Sequence, residues 1–152
     1  MIQLNMKKIV LILLLFSVLL VTLCYFSSLN KRKVENFAND IVDSSILLEN
    51  VLKKRVKYSK KQKDMSLIFL KKIRDEYQVN PMRIVVNSSS EVQKEKDSIK
   101  LYEGEQLFYI EFNKSLTLPL IIDNKSQIIL LFRFTKGGGG FLINSRSDGN
   151  TQ

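Results

Sequence analysis

The spacing of apolar and polar positions changes twice along the chain, and each change marks a different kind of element. From Ile9 to Leu29 the run IVLILLLFSVLLVTLCYFSSL holds no charged residue. At about 1.5 Å per residue its 21 positions make a helix of about 31 Å, close to the hydrocarbon thickness of a bilayer. A cleaved secretory signal has a shorter apolar stretch ending in a pair of small residues. Here Val21 is followed by Thr22, Leu23, Cys24, Tyr25 and Phe26, and a lipoprotein signal would need a small residue where Leu23 stands. An uncleaved signal-anchor helix is favoured, with the cleaved and lipidated forms as alternatives.

Between Val34 and Val56 the apolar residues Val34, Phe37, Ala38, Ile41, Val42, Leu48, Val51 and Leu52 recur at steps of three and four. This predicts an amphipathic helix that continues the apolar run without an intervening Gly or Pro. A second helix is predicted from about Asp64 to Tyr77, capped by Asp64 or Ser66, lined by Leu67, Leu70, Ile73 and Tyr77, and stopped by Asn80 and Pro81.

After Pro81 the period becomes two, with strands predicted at 82–87, 98–103, 106–112, 116–122, 127–135 and 141–144. Connections this short join antiparallel neighbours, because a parallel pair needs a crossover of about a dozen residues or more. Leu107, Tyr109 and Glu111 alternate with Phe108, Ile110 and Phe112, which predicts one dry face. The 127–135 strand is apolar on both sides and belongs at the sheet centre or under a helix, whereas Pro119 points to an edge or a bulge. The expected fold class is α+β: a transmembrane helix, then one or two amphipathic helices packed on an antiparallel sheet of about five or six strands. The boundaries are a basic leader at 1–8, the membrane helix at 9–29, an α+β domain at 30–144 and a disordered tail at 145–152. The polar stretch 88–97 is expected to be mobile as well.

Composition narrows the chemistry. The 152 residues include no His and no Trp, which removes Ser-His-Asp and Cys-His catalysis, His-ligated zinc and a histidine pH switch. Cys24, the sole cysteine, lies in the apolar run and has no disulfide partner within the chain. Asp75 with Glu76, Glu103 with Glu105, and Glu111 are the candidate catalytic carboxylates, but their spacing brings no two of them together, and they read as surface groups. The Gly137–Gly140 run lacks the Lys-Ser/Thr ending of a phosphate loop and reads as a hairpin tip. The expectation is a non-enzyme with no cofactor and no metal.

Charge is concentrated. Of the formal net +9, most stems from Lys53, Lys54, Arg55, Lys57, Lys60, Lys61 and Lys63. The cluster is a candidate contact for an anionic surface or partner; its bland alternative is a solvated helix end, where cations meet the negative end of the dipole. A straight helix would hold the cluster well above the bilayer, which weakens a headgroup contact. Only Tyr58 is interleaved, so the aromatic stacking typical of nucleic-acid binding is missing. Lys7 and Lys8 on one side of the apolar run balance Lys31, Arg32 and Lys33 on the other. The short basic leader favours a C-terminal domain outside the cytoplasm.

The expected function is a single-pass membrane protein with a tethered, non-enzymatic domain. That domain would serve a membrane-bound assembly of secretion, pilus or competence type, with other membrane or envelope proteins as partners. The alternative is a membrane-anchored ligand-binding or sensor-like domain. The layout resembles that of pilin-like subunits, in which an apolar helix runs into an amphipathic one and then a sheet. The leader has no Gly followed by a phenylalanine-type mature start, and the apolar run has no acid, so no family is assigned.

Overall fold

The computed structural model describes residues 6–89, 99, 101–114, 116–136 and 139–144; the tail at 145–152, residues 90–98 and 137–138, and the first five residues of the leader lie outside the described residues. Helix α1 (Met6–Val42) is continuous through the apolar run and beyond it, at about 1.5 Å per residue some 55 Å long. Ser17, Thr22 and Ser28 do not break it: each hydroxyl donates to the carbonyl three residues back at 2.8 Å, so the polar groups are satisfied within the helix. It is long and apolar enough to cross a membrane, and its apolar window is bare of protein contacts.

The predicted stripe from Val34 to Val56 is not one helix. Asp43 ends α1 by taking two hydrogen bonds on Oδ1, from the Ser45 amide at 2.9 Å and the Ser45 hydroxyl at 2.6 Å. An aspartate that bonds the backbone two residues on offers an alternative to the helical ladder, and the chain turns here. Helix α2 (Leu48–Arg55) then packs against α1, and α3 (Lys60–Val79) follows. Helix α3 starts earlier than predicted. Gln62 Oε1 accepts from the Ser59 amide at 2.9 Å and from its hydroxyl at 2.7 Å, and the Gln62 amide donates to the Ser59 carbonyl at 2.9 Å. The Ser-x-x-Gln spacing of a capping box sets the start, not Asp64 or Ser66. The stop at Asn80 and Pro81 is where the sequence puts it.

Strands β1 (Val85–Ser88), β2 (Gln106–Glu111), β3 (Thr117–Ile122) and β4 (Ile128–Lys136) form an antiparallel sheet in chain order, and β5 (Gly139–Asn144) pairs antiparallel with β4 from Leu131 onward. The strand predicted at 98–103 does not form at its described positions. Ile99, Leu101 and Tyr102 are irregular, and Glu103–Gly104 is a turn. Pro119 sits opposite Tyr109 in an internal strand, not at an edge; the β3–β4 ladder reaches only Leu120, so the missing amide falls beyond it.

Across β2, β3 and the start of β4 both faces of the sheet are buried, not one. Phe108, Ile110, Leu118, Leu120, Ile122, Ile128 and Leu130 join Val34, Phe37, Ala38 and Ile41 of α1, Val51 and Leu52 of α2 and Leu70 and Ile73 of α3 in one core. On the other face Leu107, Tyr109, Ile121, Ile129 and Leu131 form a second cluster, against which Ile99 and Leu101 pack. Tyr77 meets Phe112 edge to face, centroids 6.3 Å apart, which sets α3 over the end of β2.

Candidate functional site

The turn at Asp43 decides where the basic cluster lies. Because α2 packs back along α1, its last turn, Lys53, Lys54 and Arg55, returns toward the start of the domain. Val56 bridges Ile128, and the Lys57 amide donates to the Ile128 carbonyl at 2.7 Å, which ties the α2–α3 linker to the first residue of β4. The same end of the sheet meets α1 where the apolar run finishes: Asn30 Nδ2 donates to Gln106 Oε1 at 3.1 Å, and Gln106, Ile122 and Ile128 are neighbours across β2, β3 and β4.

A pocket of about 250 Å³ opens at this end. Lys33 of α1 and Lys53, Lys54 and Arg55 of α2 form its basic wall; Val56 and Ile128 are its apolar floor. Ser126 and Gln127, from the β3–β4 turn, complete it, and among the described residues no acidic side chain lines it. That turn is held by Asp123, a buried carboxylate whose Oδ1 accepts from the amides of Lys125 at 2.9 Å and Gln127 at 2.8 Å. Ser126 takes a left-handed φ of 60° to close it.

The seven bases predicted as one cluster are therefore divided between two helix ends and a linker. Arg55 Nε meets Asp40 Oδ2 at 2.6 Å, Lys57 Nζ lies 3.9 Å from Asp123 Oδ2, and Lys63 Nζ lies 3.6 Å from Glu49 Oε1. Among the described residues, Lys33, Lys53, Lys54 and Lys60 have no acidic partner. Lys61 belongs to α3. The dipole accounts for the three cations at the C-terminus of α2 but not for Lys60, Lys61 and Lys63, which stand at the positive N-terminal end of α3 with no acid in its first turn. Together these groups make a field that favours an anion. The sequence gives no sign that Lys33, Ser126 and Gln127 join the cluster, because only the return of α2 places them beside it.

Of the candidate carboxylates, Glu105 and Glu76 have structural partners. Glu103 and Glu105, which the sequence kept apart, line one depression of about 210 Å³ with Lys57 and Asp123. Glu105 Oε2 accepts the Tyr102 amide at 2.8 Å, and Asp123 holds its own turn. Asp75 and Glu76 line a separate depression with Val79 and Asn113, and Glu76 pairs with Lys72 at 3.6 Å. Glu111 sits in β2 opposite Val85 and Thr117. Among the described residues, no three His, Cys, Asp or Glu side chains come together as a metal site would require.

Compared with known proteins, the chain matches no family model, no curated protein and no solved structure.

Proposed function

We propose that this chain is a single-pass membrane protein whose α+β domain, held outside the cytoplasm, serves as a non-enzymatic structural member of a membrane-bound assembly. In this reading β5 extends the sheet to five strands, and the helices cover one of its faces. The observation that supports it is the continuity of α1. One helix carries both the apolar run and Val34, Phe37, Ala38 and Ile41, all fully buried in the domain core. A helix shared in this way fixes the height and orientation of the domain over the bilayer, because no flexible linker separates the two. Fixed geometry suits a part that must meet neighbours in one arrangement; a module that captures a soluble ligand gains little from it.

Photo-crosslinking in intact cells tests the proposal. A crosslinking residue at Leu47, Ile68 or Val79, the exposed apolar positions of the domain's helical side, is expected to yield discrete protein adducts. Monomer alone at all three positions would overturn it. A second reading, a membrane-anchored ligand-binding domain, is favoured by the basic pocket.

A further inference from the structure

We infer that the pocket between α1, α2 and the β3–β4 turn binds the phosphate of an anionic phospholipid headgroup, in the leaflet from which the domain rises. The inference rests on α1 crossing the bilayer and does not depend on the assembly role. Its first ground is position. Lys33 follows Leu29, the last apolar residue of the run, by four positions, a rise of about 6 Å along α1. A headgroup layer adds about 5–7 Å to each side of the hydrocarbon, so Lys33 stands at phosphate level. The straight-helix picture would have carried Lys53 and Lys54 far above it; the turn at Asp43 brings them back to the same pocket.

The second ground is chemistry. Lys33, Lys53 and Lys54 have no acidic partner among the described residues and converge from two helices, while Asp40 holds the Arg55 guanidinium in place at 2.6 Å. Ser126 and Gln127 offer a hydroxyl and an amide to phosphate or glycerol oxygens, and the volume of about 250 Å³ admits a headgroup but not a folded partner. A zwitterionic headgroup carries its own cation into this site and is repelled by the lysines; an anionic one is not. The acyl chains stay in the bilayer beside α1, which distinguishes a lipid from a dissolved phosphate.

The test uses the full-length chain in neutral detergent, titrated with phosphatidylglycerol, phosphatidylcholine or inorganic phosphate and read by native mass spectrometry. Phosphatidylglycerol is expected to bind at least about tenfold more tightly than phosphatidylcholine. The preference should vanish in Lys33→Gln/Lys53→Gln/Lys54→Gln and persist in Lys71→Gln/Lys72→Gln/Lys114→Gln, which loses the same charge elsewhere. Lys54→Glu alone should weaken the preference, and the thermal melt of each variant checks that it folds. Equal binding of both lipids, equal loss in both triple variants, or displacement of phosphatidylglycerol by inorganic phosphate would each overturn the inference. None of these outcomes touches the crosslinking result, so the two proposals fail separately.

Discussion

Arg74 of α3 donates its Nε to the carbonyl of Ile41 in the last turn of α1 at 2.6 Å, and its Nη2 reaches the Asp40 carbonyl at 3.3 Å. The last turn of α1 has no basic residue of its own, so a cation from a distant helix satisfies its open carbonyls and the negative end of its dipole. Burial pulls the guanidinium below its usual range while Asp43 and Asp75 oppose that, and it stays charged throughout. Arg74→Ala is expected to lower stability by about 1–2 kcal/mol, with Arg74→Lys recovering only part, since an ammonium lacks the planar fork. Thermal melts of the full chain in detergent read this; identical melting of wild type and Arg74→Ala would sink it.

Ser66 offers the opposite sign. Its side chain is fully buried in α3, and among the described residues its hydroxyl has no hydrogen-bond partner. Ser66→Ala removes an unsatisfied group and improves helix propensity, so it is expected to stabilise the domain by about 1 kcal/mol. A lower melting temperature would show that the hydroxyl has a partner.

Acid should weaken the α1–α2 turn. Hydrogen bonds from the Ser45 hydroxyl and amide hold the Asp43 carboxyl below its ordinary value of 3.8, with desolvation opposing them and the Arg74 charge adding a lesser lowering effect. A lowered folded-state value contributes stability at pH above 3.8, and that contribution is lost as pH falls through the folded value. Asp43→Asn keeps an acceptor but cannot titrate, so its melting temperature should fall less steeply than wild type below that pH. Parallel curves would remove Asp43 from the account.

Gly104 has φ +79°, and a Cβ there would lie 3.2 Å from the Cβ of Asn124. Gly104→Ala is expected to cost about 1–2 kcal/mol through the left-handed conformation alone. Because Asn124 belongs to the turn that presents Ser126 and Gln127, the same variant should weaken phosphatidylglycerol binding, whereas unchanged stability would contradict the assigned backbone.

Phe37 and Phe16 lie on the same helix in different surroundings. Phe37 is fully buried in the domain core and Phe16 is 59% exposed in the apolar run. Phe37→Ala should cost about 3–5 kcal/mol in the domain melt and Phe16→Ala almost none. Comparable losses would mean that the apolar run is packed against protein.

Much of the fold was legible because it rests on local rules. Asn80 and Pro81 stop α3 through the missing amide and the steric restriction on the preceding residue, whatever surrounds them. The errors share a cause. The apolar stripe was carried from Val42 to Leu48 as though the helix continued, while Asp43 and Ser45 held the signal for a turn. The Ser59–Gln62 spacing was likewise present and outweighed by the more apolar segment after Asp64. Leu107 and Tyr109 look like an outward face ending in Glu111, yet Ile99 and Leu101 cover that face from a segment with weak periodicity of its own.

What the chain determined by itself was the length of the apolar run, the switch from helical to alternating period at Pro81 and the antiparallel order of β2, β3 and β4 imposed by short connections. Each follows from the backbone's own geometry over a few residues. Only the tertiary structure decided that α2 doubles back, that Lys33 shares a pocket with Lys53 and Lys54, and that Asp123 braces a turn beside them. Those are relations between segments about 20 to 90 residues apart in sequence, set by which apolar faces bury each other, and hydrophobic burial specifies no partner until the whole core has closed.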